Sequence, residues 1–215
     1  MTKRLYQWLT VIIMAGLVSC YPNEADYIEE LDLVYTNFSE GFDFQGKSTY
    51  AMPDSVVKIS DGSSTDPDGD GKPQFVGSTY SSTILNQIKQ NMTANGWTQV
   101  SKNSNPDVFI LPTTMTTTNI YYYYDWWYWD WWYGGYWGWY YPGWYYPAYV
   151  TGYRSGSVFL QMVDGSTLNP VNDNVAVVWS CIINGLAEGD TQSIVTRIQS
   201  TIDQAFSQSP YLKTN

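Results

Sequence analysis

Three aspartates at alternate positions are the first candidates for chemistry in this chain. Asp66, Asp68 and Asp70 stand in the run Asp-Pro-Asp-Gly-Asp-Gly. This run has the opening of a calcium loop, in which alternate carboxylates wrap a hard cation and a glycine makes the sharp turn. The bidentate Glu that closes such a loop is missing, because Gly77 stands in its place. Calcium binding and a solvated acidic turn both account for these residues, and the missing Glu favours the turn.

A second pair of carboxylates, Asp125 and Asp130, lies within a run of tryptophans. Two carboxylates flanking a glycosidic bond are what a glycosidase requires. A flexible loop, however, holds two carboxylates poorly at a fixed separation. The chain also contains no His, which excludes His-based nucleophilic triads and His-ligated zinc. We therefore predict a protein that is not an enzyme and that requires no cofactor.

The aromatic tract, residues 121–149, is the least ordinary stretch of the sequence: 20 of its 29 residues are Trp or Tyr. Each ring offers roughly 150 to 250 Å² of surface, so the tract carries on the order of 3,000 to 5,000 Å². That is several times the largest apolar patch that a soluble monomer usually exposes. The rings must therefore lie on some surface, which the sequence leaves open between their own domain, a protein partner, a glycan and a lipid interface.

Two functions are compatible with such a tract. In the first, an envelope protein uses it for contact with a protein partner or a membrane surface, since Trp and Tyr favour membrane interfaces. In the second, a glycan-binding or peptidoglycan-binding module uses ring stacking on sugars. The stacking platforms would then be Trp126, Trp127, Trp129, Trp131 and Trp132.

The first twenty residues indicate export and lipid attachment. Lys3 and Arg4 precede an apolar run that is too short to span a bilayer, and Leu-Val-Ser-Cys ends it at Cys20. This tetrapeptide resembles the bacterial lipobox, whose Cys is acylated before the leader is removed. We predict a signal peptide at 1–19, a lipid anchor on Cys20 in the outer membrane, facing the periplasm or the cell surface, and an acidic tether at 20–30.

Charge and the second cysteine restrict the function further. The chain has 20 acidic and 10 basic residues, and two of the basic residues belong to the leader. Such a balance argues against a nucleic-acid partner, which requires clustered Lys and Arg. Cys181 lies in an apolar run, which favours a buried hydrophobic side chain over a nucleophile.

Hydrophobic periodicity places two helices among several strands. Apolar residues recur at helical spacing over 79–95 and 190–208, with Asp190 or Thr191 as the N-cap of the second helix. Strands are predicted at 31–38, 48–52, 107–111, 156–163 and 175–183. The segment 60–77 is predicted to be a loop, and the aromatic tract a long loop or a hairpin that turns at Gly134-Gly135.

These elements predict a single α+β domain over 31–212, with the aromatic insertion at 121–149. Runs of strands separated by helices favour a mostly antiparallel sheet with two helices packed on one face. The tract lies between two strands of that sheet. Pro142 and Pro147 cannot donate ladder hydrogen bonds, which opposes a long regular hairpin.

Several short motifs resemble the domain of unknown function 4136 family of bacterial lipoproteins, in its Bacteroidota branch. They include Phe42-Asp43-Phe44, Asn105-Pro106-Asp107-Val108, Val178-Trp179 and the closing Ser209-Pro210-Tyr211-Leu212, together with the Tyr/Trp/Gly-rich insertion. The resemblance implies an envelope lipoprotein without assigned activity, and it carries over no catalytic residue. In the same lineage, Asp54-Ser55-Val56 resembles an O-glycosylation site, which makes Ser55 a candidate for modification.

Overall fold

The computed structural model describes residues 33–59, 73–115, 132, 138–140, 156–167, 174–186 and 189–214, with the backbone alone at 138–140 and 174. All of them belong to the compact unit formed by residues 32–215. The predicted signal peptide, the acidic tether and most of the aromatic tract lie outside the described residues.

The described residues form eight strands and two long helices. The strands are β1 Leu33–Phe38, β2 Thr49–Ala51, β3 Val57–Ile59, β4 Thr98–Gln99, β5 Val108–Met115, β6 Gly138–Tyr140, β7 Ser157–Asp164 and β8 Asn174–Asn184. The helices are α1 Ser78–Ala94 and α2 Thr191–Ser207. Short 3-10 turns follow β7 at Gly165–Thr167 and α2 at Pro210–Leu212.

The strands form a mixed sheet with the order β1-β8-β7-β5-β2-β4. The three longest ladders, which join β1 to β8, β8 to β7 and β7 to β5, are antiparallel. The short strands β2 and β3 both run parallel to β5, β4 runs parallel to β2, and β6 runs parallel to the beginning of β8. The predicted α+β class with a mostly antiparallel sheet is therefore confirmed.

Both helices pack on one face of the sheet. The apolar stripe of α1 places Ile84, Ile88 and Met92 in the main core, together with Ile198 and Ile202 of α2. Strand residues at alternate positions of β5, β7 and β8 meet them there. The helices are also joined to each other, because the Asp203 carboxylate accepts hydrogen bonds from Gln87 and Asn91 of α1.

Local sequence fixes where each helix starts or stops. Asp190 caps α2, since its carboxylate accepts hydrogen bonds from the backbone N–H groups of Gln192 and Ser193 at 2.9 and 3.0 Å. Gly96 ends α1 with φ of 91°, and the N–H of Trp97 returns to the carbonyl of Met92, which is a Schellman motif. Both termini were predicted from the sequence.

The structure corrects two details of the prediction. The strands β3, β4 and β6, each of two or three residues, were not predicted. The segment 60–77 is not a loop throughout, since Val76 donates to the Val56 carbonyl and Lys58 donates to the Gln74 carbonyl. Residues 60–72 of that segment lie outside the described part of the chain.

The opposite face of the sheet is also buried, although neither helix contributes to it. We call it the helix-free face, and it consists of alternate residues of three central strands. These residues are Phe109, Leu111, Thr113 and Met115 of β5, Phe159, Gln161 and Val163 of β7, and Val175, Val177, Ser180 and Ile182 of β8. The apolar ones form two smaller cores, in which no residue of α1 or α2 takes part.

Candidate functional site: the aromatic tract and the helix-free face

Trp132 is the one predicted site residue that the structure places. It is half-buried and packs against the small core on the helix-free face. Its ring meets the ring of Phe109 edge to face, with 5.7 Å between centroids and an interplanar angle of 83°. This contact attaches the aromatic tract to β5, one of the central strands.

Lys102 holds the same tryptophan from a second direction. Its Nζ donates a hydrogen bond to the Trp132 carbonyl oxygen and lies 5.6 Å from the centroid of the Trp132 ring. A cation above an indole face is attracted by the ring quadrupole. Trp132 is therefore contacted by the Phe109 ring and by the Lys102 cation, and this geometry suits an anchor better than an open stacking platform.

The tract has a second attachment to the sheet. Residues Gly138–Tyr140 form β6, which pairs with Asn174–Ala176 of β8. The backbone of the tract thus joins the ladder six residues after Trp132. The predicted hairpin turn at Gly134-Gly135 lies outside the described residues, as do the remaining predicted platforms Trp126, Trp127, Trp129 and Trp131.

The other predicted site residues also lie outside the described part of the chain. These are Cys20, the calcium candidates Asp66, Asp68 and Asp70, and the carboxylate pair Asp125 and Asp130. Within the described ranges, no cluster of three or more His, Cys, Asp or Glu side chains could hold a metal ion. No helix among those residues is long and apolar enough to cross a membrane.

Cys181 is fully buried under the helices. It has no exposed surface, and burial raises the pKa of its thiol well above the ordinary value. A thiol of this kind is rarely deprotonated and cannot be reached by a substrate. The sequence interpretation of Cys181 as a small core side chain agrees with this environment.

Asp107 is the described carboxylate with a clearly shifted pKa. It stands just before β5 and accepts hydrogen bonds from the backbone N–H groups of Ser48 and Thr49 and from the Thr49 hydroxyl, at 2.7 to 3.0 Å. Partial burial tends to raise the pKa, but these bonds and the charge of Lys47 outweigh it and lower the pKa of Asp107. The carboxylate therefore joins the beginnings of β2 and β5, and its hydrogen bonds identify a structural role.

Ser55 is partly exposed in the turn between β2 and β3. Its hydroxyl donates to the Asp54 carboxylate at 3.3 Å, a weak contact that leaves the oxygen free to be modified. The neighbouring surface is an open cavity of about 570 Å³ between this turn and α1. O-glycosylation of Ser55 stays a prediction.

An apolar cavity of about 410 Å³ opens between the two helices and the sheet. Ile84, Leu186, Ile194 and Ile198 line it, and Lys58 is the one charged residue among its described walls. Sequence reasoning did not find this cavity or the role of Lys102, because both arise from residues distant in the chain.

Comparisons with known proteins agree with this fold. The family model described as "Domain of unknown function (DUF4136)" matches residues 34–211. No curated protein sequence matches the chain. A crystal structure of a DUF4136 family protein from Bacteroides thetaiotaomicron is similar to 85% of this chain and 97% of that one, with 26% identity and a TM-score of 0.64.

A PDZ domain protein from Parabacteroides distasonis is less similar. It shares 16% identity, with a TM-score of 0.43, over 84% of this chain and 36% of that one, and a similarity at that level supports no structural argument. The family match covers nearly all of the compact unit that contains the sheet and both helices. The chain belongs to the DUF4136 family.

Proposed function

We propose that this chain is a non-enzymatic lipoprotein of the cell envelope, anchored through Cys20. Its α+β domain presents the aromatic tract for contact with a protein partner or a membrane surface. The attachment of Trp132 to Phe109 and Lys102 is the observation that best supports this function. A contact segment held on a rigid sheet loses less conformational freedom on binding than a free loop does.

The composition of the tract indicates the kind of surface that it contacts. It contains two carboxylates and no Lys or Arg. The tract therefore has no positive charge that could attract anionic lipid headgroups or nucleic acid. Trp and Tyr combine a large apolar ring with one polar group, which suits a protein interface or the headgroup region of a bilayer. A protein held at the outer membrane can reach both partner proteins and the headgroup region of the bilayer.

Chymotrypsin digestion tests the contact, because the tract is rich in its cleavage sites and contains none for trypsin. We would use the full chain carrying Cys20→Ala, so that a lipid anchor cannot itself produce protection. Isolated outer-membrane vesicles are expected to slow cleavage within 121–149. A control with Trp126, Trp127, Trp129 and Trp131 changed to Ser, but with Trp132 kept, should lose this effect. Equal cleavage rates with and without vesicles would contradict the proposal.

The anchor is tested separately by cell fractionation. Cys20→Ala is expected to move the protein from the membrane fraction to the soluble fraction, while Cys181→Ala, the same change at the buried thiol, leaves it in the membrane. A Cys20→Ala protein that still sediments with membranes would show that the anchor lies elsewhere.

Glycan binding is the alternative function, and titration separates it from protein or membrane contact. Saturable quenching of tryptophan fluorescence by peptidoglycan fragments would favour the alternative. The geometry of Trp132 argues against stacking at that position, since its ring already contacts the Phe109 ring and the Lys102 cation.

A further inference from the structure

We propose that the apolar cavity between the two helices and the sheet is a binding site for a fatty acid. The hydrocarbon chain of the ligand lies against the buried walls, and its carboxylate meets Lys58 at the mouth. None of the described residues of the cavity belongs to the aromatic tract or to the predicted anchor. The site therefore adds a ligand that the contact function proposed above does not include.

A row of side chains across three strands forms the floor of the cavity. Lys58 of β3 lies opposite Thr114 of β5, and Thr114 lies opposite Val158 of β7. Successive side chains of a strand point to opposite faces of its sheet. Val57 and Ile59 pack on the helix-free face, so Lys58 between them projects to the side of the helices. The row therefore runs from a cation on β3 to an apolar side chain on β7.

The helices and the segment before α2 supply the apolar walls. Ile84 of α1 is 0% exposed and Ile198 of α2 is 3% exposed, and Leu186 is 2% exposed. Ile194, one turn before Ile198, is half-buried and borders the same space. A ligand that enters the cavity would thus lie against side chains of the main core, which are already shielded from water.

The described walls contain few polar side chains. Apart from Lys58, the polar ones are Tyr80 and Thr114, which each carry one hydroxyl group. A ligand with many hydrogen-bonding groups would bury them here without partners, which is costly. The volume of about 410 Å³ lies within the range of small-molecule sites, about 300 to 1,000 Å³. The buried part of the ligand is therefore a hydrocarbon.

Lys58 determines the other end of the ligand. Its side chain is exposed, which places the ammonium group at the mouth of the cavity. The described walls include no Asp or Glu, and Lys58 forms no ion pair within the described ranges. A lysine ammonium binds an anion as a compact point charge. One such cation matches the single charge of a carboxylate better than the nearly double charge of a phosphate monoester.

Calorimetric titration tests the site in the full chain carrying Cys20→Ala, in which no acyl group of the chain itself can fill the cavity. We expect saturable binding of octanoate. Decanoate should bind roughly fifteenfold more tightly and hexanoate roughly fifteenfold more weakly, because each step changes the buried chain by two methylene groups. Such a series measures burial of the hydrocarbon chain in the protein as it stands, without a substitution in the cavity.

Two substitutions test the two ends of the ligand separately. Ile194→Trp fills the cavity and should weaken binding of both octanoate and octanol at least about tenfold. Lys58→Gln should weaken binding of octanoate about two- to fivefold, the value of an exposed ion pair, and leave binding of octanol unchanged. Lys89→Gln, at an exposed lysine of α1 that does not line the cavity, is the control and should change neither affinity. Because Lys58 is exposed, its variant tests the site even if tryptophan prevents folding at position 194.

Changing Trp126, Trp127, Trp129 and Trp131 to Ser distinguishes this site from the aromatic tract. These substitutions should leave the affinity for octanoate unchanged, whereas the proposed protection by vesicles depends on them. The fatty-acid site and the contact function can therefore fail independently.

Four results would contradict the fatty-acid site. Decanoate might show no saturable binding up to millimolar concentrations. Equal affinities for octanoate in the parent and in Lys58→Gln would mean that the charge is not recognised. Loss of binding in the chain with the four Ser substitutions would place the ligand on the aromatic tract. Binding to the Cys20→Ala chain but not to the acylated chain would mean that the cavity holds the acyl group of the chain itself.

Discussion

Asp107 shows how a single side chain joins two strands that are distant in sequence. Its carboxylate accepts three hydrogen bonds from Ser48 and Thr49, and its own N–H donates to the Thr49 hydroxyl at 3.0 Å. Lys47 adds a cation 4.0 Å away. These contacts hold the beginnings of β2 and β5 parallel to each other. The ladder between the two strands has only two residue pairs and would hold them weakly by itself.

We expect Asp107→Asn to lower the free energy of unfolding by about 1.5 to 3 kcal/mol at neutral pH, the usual range for hydrogen bonds to a charged group. Because the pKa of Asp107 is lowered in the folded state, its stabilisation is present above the unfolded value of 3.8 and is lost as the pH falls through the folded value. The difference between parent and variant should therefore shrink in acid. Urea unfolding at neutral and acidic pH measures it.

Asp54→Asn is the control for this experiment, since Asp54 is exposed and makes only a weak bond to Ser55. It should leave the stability unchanged at both pH values. A difference between Asp107→Asn and the parent that is as large in acid as at neutral pH would contradict the ionic role.

Gly165 is a position where the backbone leaves no room for a side chain. Its N–H donates to the Asp107 carbonyl at 2.8 Å, and an added Cβ would meet the Pro106 carbonyl oxygen and lie 3.0 Å from that of Asp107. We expect Gly165→Ala to cost about 1 to 3 kcal/mol, as overpacking against fixed backbone does.

Thermal unfolding of Gly165→Ala beside Gly41→Ala measures this effect. An added Cβ at Gly41 meets nothing within 4 Å, so that variant should unfold at the temperature of the parent. Equal melting temperatures for the two variants would show that the turn after β7 can move to admit a methyl group.

At the scale of elements, the C-terminal turn is held by aromatic hydrogen-bond donors. Trp179 of β8 donates from Nε1 to the Ser209 hydroxyl at 2.9 Å, and Tyr211 donates to the same oxygen at 3.1 Å. Trp97, just after α1, donates to the Leu212 carbonyl at 2.7 Å. The Tyr211 ring also stacks on Phe38 of β1. The turn therefore joins β1, β8 and the end of α1.

We expect Ser209→Ala to destabilise the domain by about 1 to 3 kcal/mol, because the buried indole N–H of Trp179 loses its acceptor. Hydrogen exchange should increase at 209–214 more than in β5. Ser207→Ala, an exposed change in the last turn of α2, is the control and should leave exchange unaltered. Unchanged exchange in Ser209→Ala would show that the Trp97 hydrogen bond and the stacking on Phe38 are enough to hold the turn.

At the scale of the whole molecule, Cys181 reports on the integrity of the fold. It lies in the C-terminal half of β8, which pairs with β1 and β7, and it faces the core shared with both helices. Its side chain is 0% exposed. Its reactivity should therefore follow global unfolding.

In the full chain carrying Cys20→Ser, we expect the rate of Cys181 modification to rise with urea along the same free-energy slope as the unfolding measured by circular dichroism. The raised pKa of the thiol lowers the thiolate population further in the folded state. Modification in native buffer at a rate independent of urea would reveal a local opening that reaches the core.

The sequence by itself determined the elements whose signals are local. The four-residue spacing of Ile84, Ile88 and Met92 fixed α1, Gly96 and Asp190 fixed helix ends, and the alternation around Leu160 fixed β7, because propensity, periodicity and capping act over a few residues. The short family motifs also indicated the membership that the match over 34–211 shows. The aromatic composition of 121–149 was equally plain, but it left open the surface on which the rings lie.

Only the tertiary structure determined which strands pair and which side chains pack together. The parallel pairing of β2 and β3 with β5 was not predictable, since ladders of two or three residues carry too little pattern to set strand order. Likewise, no local signal connects Lys102 with Trp132 or Phe109 with the tract. Such contacts form only when long chain segments close on themselves. Their free energy is spread over many weak packing interactions, which form only when the sheet is assembled.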